Sequence, residues 1–207
     1  MKKRIDPIEH YEEIIDGKTL IISDIKSNTH YKNCHIEGIE ETNKFDEVKF
    51  ENCFFADKAL LKLECLDVIF EKIDFSNVQF DESLFYRVRF ANCKFIGTSF
   101  YKTKMKNVAF HESNLHYANV SLSNLTHVSF HNSDLSEASL QEVEHKELTF
   151  VKSNLDKVDL HDTVIKGLDL SSCEFDSLGI DLRDCRNVKI RYDQAVIIAK
   201  MLGFEIT

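Results

Sequence analysis

The chain has 207 residues, of which 26 are basic and 35 acidic, for a formal charge of −9. That balance disfavours wrapping of nucleic acid, which depends on Lys and Arg neutralising phosphates, and favours a basic partner surface. An apolar content of 43% argues against disorder, while six Gly and one Pro are too few to punctuate an ordinary globular domain and sixteen Phe with no Trp suggest one shape used repeatedly.

The start, MKKRIDPIEHYEEII, is positive but has no apolar segment behind it, and no later run approaches a membrane span, so a cytoplasmic chain is expected. The six cysteines lack the crowded spacing of secreted scaffolds and are expected to be free thiols. Residues 8–15, IEHYEEII, predict a short capping helix. A five-residue register passes through Leu20 and Ile25 and fails between His30 and Lys44, where HYKNCHIEGIEETNK predicts a loop or register shift. Residues 1–44 are therefore expected to form an N-terminal cap with irregular first coils.

From Phe45 to Ile190 every fifth residue is apolar, with His145 the sole polar exception, and 14 of the 16 Phe fall in this register. Neither an amphipathic helix nor a half-buried strand has that period. Two positions before each centre stands a small or branched residue, so each unit turns two side chains inward and three outward. A second period, of four such units, lies on top: VKFEN, VIFEK, VRFAN, VAFHE and VSFHN begin at Val48, Val68, Val88, Val108 and Val128. Four short extended sides thus close one coil, and coils stack at the strand spacing of roughly 4.8 Å. Phe50, Phe70, Phe90, Phe110, Phe130 and Phe150 become a core ladder. This regular array is assigned to residues 45–192.

Three features interrupt the pattern. Lys58 falls in an inward slot, Leu61 and Leu66 in outward ones, and His145 at a centre, so 58–66 and 141–147 are the candidate distortions or small protrusions. At the C-terminus, Asp193 can cap a helix over QAVIIAKML that Gly203 ends, giving a final region of residues 193–207. Ala195, Ile198, Ala199 and Leu202 form an apolar stripe, extended by Val196, Ile197 and Met201. One face is expected to cover the last coil and the surplus, Val196, Ile197, Ile198, Met201 and Leu202, to form a symmetric homodimer interface.

The tandem pattern in SNLTH, SDLSE, ANVSL and SNLDK resembles the pentapeptide repeat family. The resemblance implies an all-β fold, a right-handed quadrilateral β-helix, here with a short C-terminal helix. The tail from Asp184 to Ile206, DCRNVKIRYDQAVIIAKMLGFEI, is similar to the end of Qnr-type quinolone-resistance proteins. That likeness implies a homodimer and an acidic rod imitating duplex DNA in the DNA-binding saddle of DNA gyrase or topoisomerase IV. Some Qnr proteins also carry loops projecting from the coils, whereas this array keeps phase, so binding without drug protection stays open.

The charge such imitation needs is present. From Ser133 to Tyr192, the two adjacent columns centred on Leu135, Leu155, Phe175 and on Leu140, Leu160, Ile180 hold Asp134, Glu137, Glu142, Asp156, Asp159, Asp162, Glu174, Asp176 and Asp181 against Lys157, nine negative and one positive, a total of −8; the other two columns total +3. The acids span about 12 Å, and B-DNA carries one charge per roughly 1.7 Å of axis, a comparable density. A solvated face on an acidic protein is the plainer alternative.

Enzyme chemistry is not expected, because a bore filled with Phe and Leu leaves no concave pocket of convergent polar groups, and no phosphate loop, nucleophile elbow or short Cys pair occurs. Cys53, Cys93 and Cys173 share one inward column but lie two and four coils apart, roughly 10 and 20 Å, too far for a common metal or a disulfide. His111 and His131 occupy equivalent outward positions one coil apart, an incomplete zinc site. No metal or cofactor is expected. Two functions are carried forward: a DNA mimic binding a bacterial type II topoisomerase and conferring quinolone resistance, and an adaptor rod binding an unrelated protein.

Overall fold

A computed structural model describes residues 4–38, 43–181 and 185–207. Residues 39–42 of the predicted break, and 182–184 with the first residue of the Qnr-like tail, lie outside that range. The strands are β1 (Glu13–Asp16), β2 (Thr19–Ile21), β3 (Thr29–Lys32), β4 (His35–Glu37), β5 (Lys44–Glu51), β6 (Phe54–Phe55), β7 (Glu64–Glu71), β8 (Leu84–Ala91), β9 (Lys104–His111), β10 (Asn124–His131), β11 (Glu144–Lys146), β12 (Thr149–Val151), β13 (Val158–Asp159) and β14 (Leu178–Gly179), followed by helix α1 (Tyr192–Met201). All pairings between strands are parallel, and from β5 onward each joins a residue to its equivalent four units later, as in Phe50↔Phe70, Phe70↔Phe90 and Phe110↔Phe130. The chain is a parallel β-solenoid ending in one short helix.

The burial pattern follows the five-residue unit. From Asn43 to Leu178 every centre and every residue two before it is buried, except Lys58 and His145. Phe50, Phe70, Phe90, Phe110, Phe130 and Phe150 stack at ring-centroid distances of 4.8–5.4 Å with planes within 9–19°. Tyr31 extends the stack below Phe50 at 5.4 Å. Each buried ring contributes roughly 1.5–3 kcal/mol of transfer free energy, and each coil depends mainly on its two neighbours.

Corners explain the scarcity of glycine. The position two past most centres is left-handed, with φ between +48° and +60° at non-glycine residues such as Asn52, Lys72, Asn92, Glu112 and Asn132. That conformation costs about 1–2 kcal/mol for an L-residue. The cost is offset by the corner amide, which donates to the next coil: Asn52 N–H to Glu71 C=O, Asn92 N–H to His111 C=O and Asn132 N–H to Val151 C=O, each at 2.9 Å. At Gly97 (φ +65°) a Cβ would stand 2.8 Å from Asn77 Oδ1 on the corner below, so this corner excludes a side chain.

Two of the four sides merge into one continuous sheet. Columns centred on Phe45 and Phe50 form the long strands β5, β7, β8, β9 and β10. The opposite columns keep short contacts, chiefly single bridges such as Asp74↔Lys94↔Asn114↔Asp134↔Asn154↔Glu174 and Gln79↔Ser99↔Asn119↔Ser139↔Asp159. These ladder sides carry the acidic columns.

Three expectations are corrected and one is met. Residues 8–15 form no helix: Pro7 precedes them, one or two isolated turns are marginal in water, and Glu13–Asp16 instead pair as β1 with β3. The expected register shift before Lys44 is present: Glu13 pairs Thr29 and Thr29 pairs Val48, both steps shorter than the regular Val48↔Val68, and these irregular first coils hide the five-residue register. Neither 58–66 nor 141–147 protrudes, since Lys44↔Glu64, Ala59↔Gln79, Asn124↔Glu144 and Ser129↔Thr149 keep the regular offset, while the second of them is distorted at His145. Lys58 turns outward beside Asp57, a corner without positive φ, and the third correction, the cap of α1, belongs to the C-terminal end.

At His145 the sheet splits. Its Nε2 lies 2.6 Å from Val164 C=O, while Nδ1 is buried without a partner among the described residues. The strand that runs unbroken in β10 becomes β11 and β12, and among the described residues no backbone bond joins Leu148–Val151 to Asp169–Ser171. His145 is the one centre between Phe45 and Phe175 that is not buried, and the interruption of the sheet falls where it stands.

Candidate functional site

The acidic residues all lie on the two ladder sides, as their column positions require. Their carboxylates differ in availability. Asp134 accepts the Ser136 hydroxyl at 2.7 Å and the Asn154 amide at 3.0 Å. Asp156 accepts the amides of Asp176 and Ser177, each at 3.0 Å, across to the next coil. Asp159 holds the His161 ring at 2.6 Å and the Gln141 amide. Glu137 lies 3.4 Å from Lys157, and Glu174 lies 3.0 Å from Arg191. Glu142, Asp162 and Asp176 are exposed, and their carboxylates have no partner among the described residues. Asp181 lies beside the last coil and has a partner of its own.

The acids thus divide into some that fasten the coils and some that offer charge to solvent. Glu142 and Asp162 occupy the same corner one coil apart, both left-handed at φ +52° and +58°. Arg191 was not anticipated as part of this surface. Its guanidinium donates to Ser171 C=O at 3.0 Å, Cys173 C=O at 2.8 Å, Glu174 and Asp193, tying the last described coil to α1 and removing part of the counted charge. Ser171 lies twenty residues back, so the superperiod already places Arg191 over that part of the preceding coil; what it does not give is the reach of the long side chain across to Glu174. The same guanidinium holds Asp193 below the usual carboxylate range through its hydrogen bonds.

At the C-terminal end, Arg191 rather than Asp193 precedes the helix, and its N–H donates to Gln194 Oε1 at 2.7 Å. Gln194 is completely buried, its amide donating to Leu170 C=O at 3.1 Å and Cys173 C=O at 2.8 Å. Gly203 (φ +85°) ends the helix, donating to Lys200 C=O at 2.9 Å. Of the five expected interface residues, Ile197, Ile198 and Met201 pack against the chain's own core, and Val196 is half-buried. Leu202 is 53% exposed and is joined by Phe204 at 64%, Ile206 at 51% and Tyr192 at 89%. The apolar surface left open at this end therefore includes Tyr192 and the tail, which the helical stripe did not include.

His111 and His131 stack at 4.9 Å, and no cluster of three or more potential metal ligands occurs among the described residues. Cys34, Cys53, Cys65, Cys93 and Cys173 are buried free thiols; burial pushes those of Cys53 and Cys93 up to about 12.

Two family models match the sequence: the pentapeptide repeat region over residues 43–120 and pentapeptide repeats over 103–141. Among solved structures, full-length QnrB1, described as a plasmid-mediated fluoroquinolone resistance protein, is 16% identical over 94% of this chain and 99% of its own, with a TM-score of 0.49. A pentapeptide repeat protein from the Arabidopsis thaliana thylakoid lumen is 22% identical over 62% of this chain and 72% of its own, TM-score 0.30. HetL, a pentapeptide repeat protein involved in heterocyst differentiation regulation from Nostoc sp. strain PCC 7120, is 10% identical over 90% and 89%, TM-score 0.28. No curated protein sequence matches the chain.

Proposed function

We propose that this chain, a pentapeptide repeat protein through residues 43–141, is a non-enzymatic cytoplasmic rod that presents its acidic ladder sides to the DNA-binding surface of a bacterial type II topoisomerase. In that reading it occupies the place of duplex DNA on gyrase or topoisomerase IV and lowers sensitivity to quinolones. The observation that carries it is the segregation of charge: −8 on two adjacent sides and +3 on the other two over the same coils. The parallel bridges Asp134↔Asn154↔Glu174 and Ser139↔Asp159 support it by holding these charges in fixed rows. Two copies joined through Leu202, Phe204, Ile206 and the outer face of α1 would double the length of the acidic rod.

The decisive experiment is gyrase supercoiling with purified protein, with and without ciprofloxacin, comparing the wild type with Glu142→Lys/Asp162→Lys. Both positions are exposed corners, and Lys already occupies such corners at Lys62, Lys102 and Lys152, so the exchange leaves the coil intact. It halves the charge of the acidic sides, from −8 to −4. Loss of inhibition or of drug rescue in the variant supports the reading; an unchanged effect on gyrase refutes it.

The second reading is an adaptor rod for an unrelated protein. It is favoured by the fastening roles of Asp134, Asp156 and Asp159, which account for part of the acidic content as coil-to-coil ties and turn bonds. Under it, wild type and variant leave supercoiling alike untouched.

A further inference from the structure

The segment Arg4–Tyr11 does something the repeat does not require. It runs without regular secondary structure over the outer wall of the sheet, crossing several strands in turn. Tyr11 lies against His30 of β3 at 5.6 Å, Ile8 N–H donates to Asp67 of β7 at 3.4 Å, Glu9 pairs with Arg89 of β8 at 2.7 Å, Ile5 N–H donates to Asn107 of β9 at 3.4 Å, and Arg4 donates to the Ser129 hydroxyl of β10. Pro7 is buried beneath it. Outward positions along this path are closed to solvent: Ile69 is 0% exposed, Ala109 1% and Ser129 6%.

The attachment is slight. Its backbone bonds are long, its ion pair lies at the surface and is worth at most about 1 kcal/mol, and Ile5 and Ile8 remain about half exposed. A segment held this way opens locally at small cost.

Beside the Arg4 anchor stands the stacked pair His111 and His131, centroids 4.9 Å apart and planes within 16°. The charged groups facing the pair are Arg4 and Asp6 from the segment and Arg89 from β8. The strand residues paired to either side, Ala91 and Val151, are apolar. Two imidazoles stacked at this distance repel when both are charged, and the Arg4 guanidinium adds to that cost although Asp6 pairs with it at 2.7 Å and offsets part of it.

The geometry points to a pH-gated strap: protonation of His111 and His131 expels Arg4 and lifts residues 4–11 off the sheet, opening the column Ile69, Arg89, Ala109 and Ser129 to solvent. Burial first, then the neighbouring charges, holds both histidines below their ordinary pKa when the strap is down. The closed strap is therefore favoured where both rings are neutral and loses that stability as pH falls through the range in which they take up protons in the open state.

Hydrogen exchange of the N-terminal peptide of the full-length protein tests this, with rates corrected for intrinsic pH dependence. Protection over residues 5–11 falls at least about tenfold between about pH 7.5 and about pH 5, because two linked protons give up to about a hundredfold per pH unit. His111→Gln/His131→Gln abolishes that fall while circular dichroism keeps the β signal; should the double variant fold poorly, His131→Gln alone halves the slope. Arg4→Ala removes protection at both pH values. Wild-type protection that does not change with pH overturns the proposal, as does a fall that survives the double variant or a strap that stays protected in Arg4→Ala.

Discussion

Phe110→Ala is the severest single test of the ladder. The ring is 1% exposed, stacked between Phe90 and Phe130 at 4.8 Å on each side, with the edges of Phe95 and Phe100 at 5.6 and 6.0 Å. Removing it forfeits about 2–3 kcal/mol of transfer free energy. Two face contacts are lost as well, and the cavity cannot collapse because the coils above and below are fixed by their own backbone ladders, so the total should be about 4–5 kcal/mol. Phe54→Ala is the matched control: that ring is 52% exposed and its one ring contact is His35 at 4.9 Å, so its loss should cost less than about 1 kcal/mol. Urea denaturation followed by circular dichroism measures both. A Phe110→Ala loss no larger than that of Phe54→Ala would refute the stacked bore as the source of stability.

Other expectations follow from single contacts. Arg87→Ala strips the charged partner from Asp67, whose carboxylate is 2% exposed and held by Nε at 2.6 Å, and should cost about 3 kcal/mol in denaturation, with Asp67→Ala/Arg87→Ala recovering most of it. His145→Leu places at this centre the residue found one coil earlier at Leu125 and should raise stability in urea by about 1 kcal/mol as the split strand closes; a lower midpoint would show that the ring supports the coil. Burial raises the Cys53 and Cys93 thiols to about 12, so at about pH 8 only about one molecule in ten thousand carries the thiolate, and a thiol reagent should spare both in the native chain and label both in urea. Gln194→Ala removes three hydrogen bonds at a fully buried position and should cost about 2 kcal/mol, seen as earlier loss of helical signal than of β signal on heating.

The amino-acid order alone determined the bore, the coil length and the column each acid occupies, because a period of five with a superperiod of four units leaves a side chain no choice of direction once backbone ladders close. It was legible wherever the spacing was strict, and failed before Lys44, where the shorter coils from Glu13 to Thr29 and from Thr29 to Val48 carry the same architecture with no repeat to read. Only the tertiary structure decided which acids are free. Asp156 and Asp176 hold the same position of one column a coil apart, yet Asp156 accepts the amides of Asp176 and Ser177 while the Asp176 carboxylate faces water. It also decided that Arg4–Tyr11, the end of which reads as the start of a helix, lies along the sheet: so short a segment cannot hold a helix by local bonds, and the wall of an already folded coil supplies contacts that no local pattern encodes.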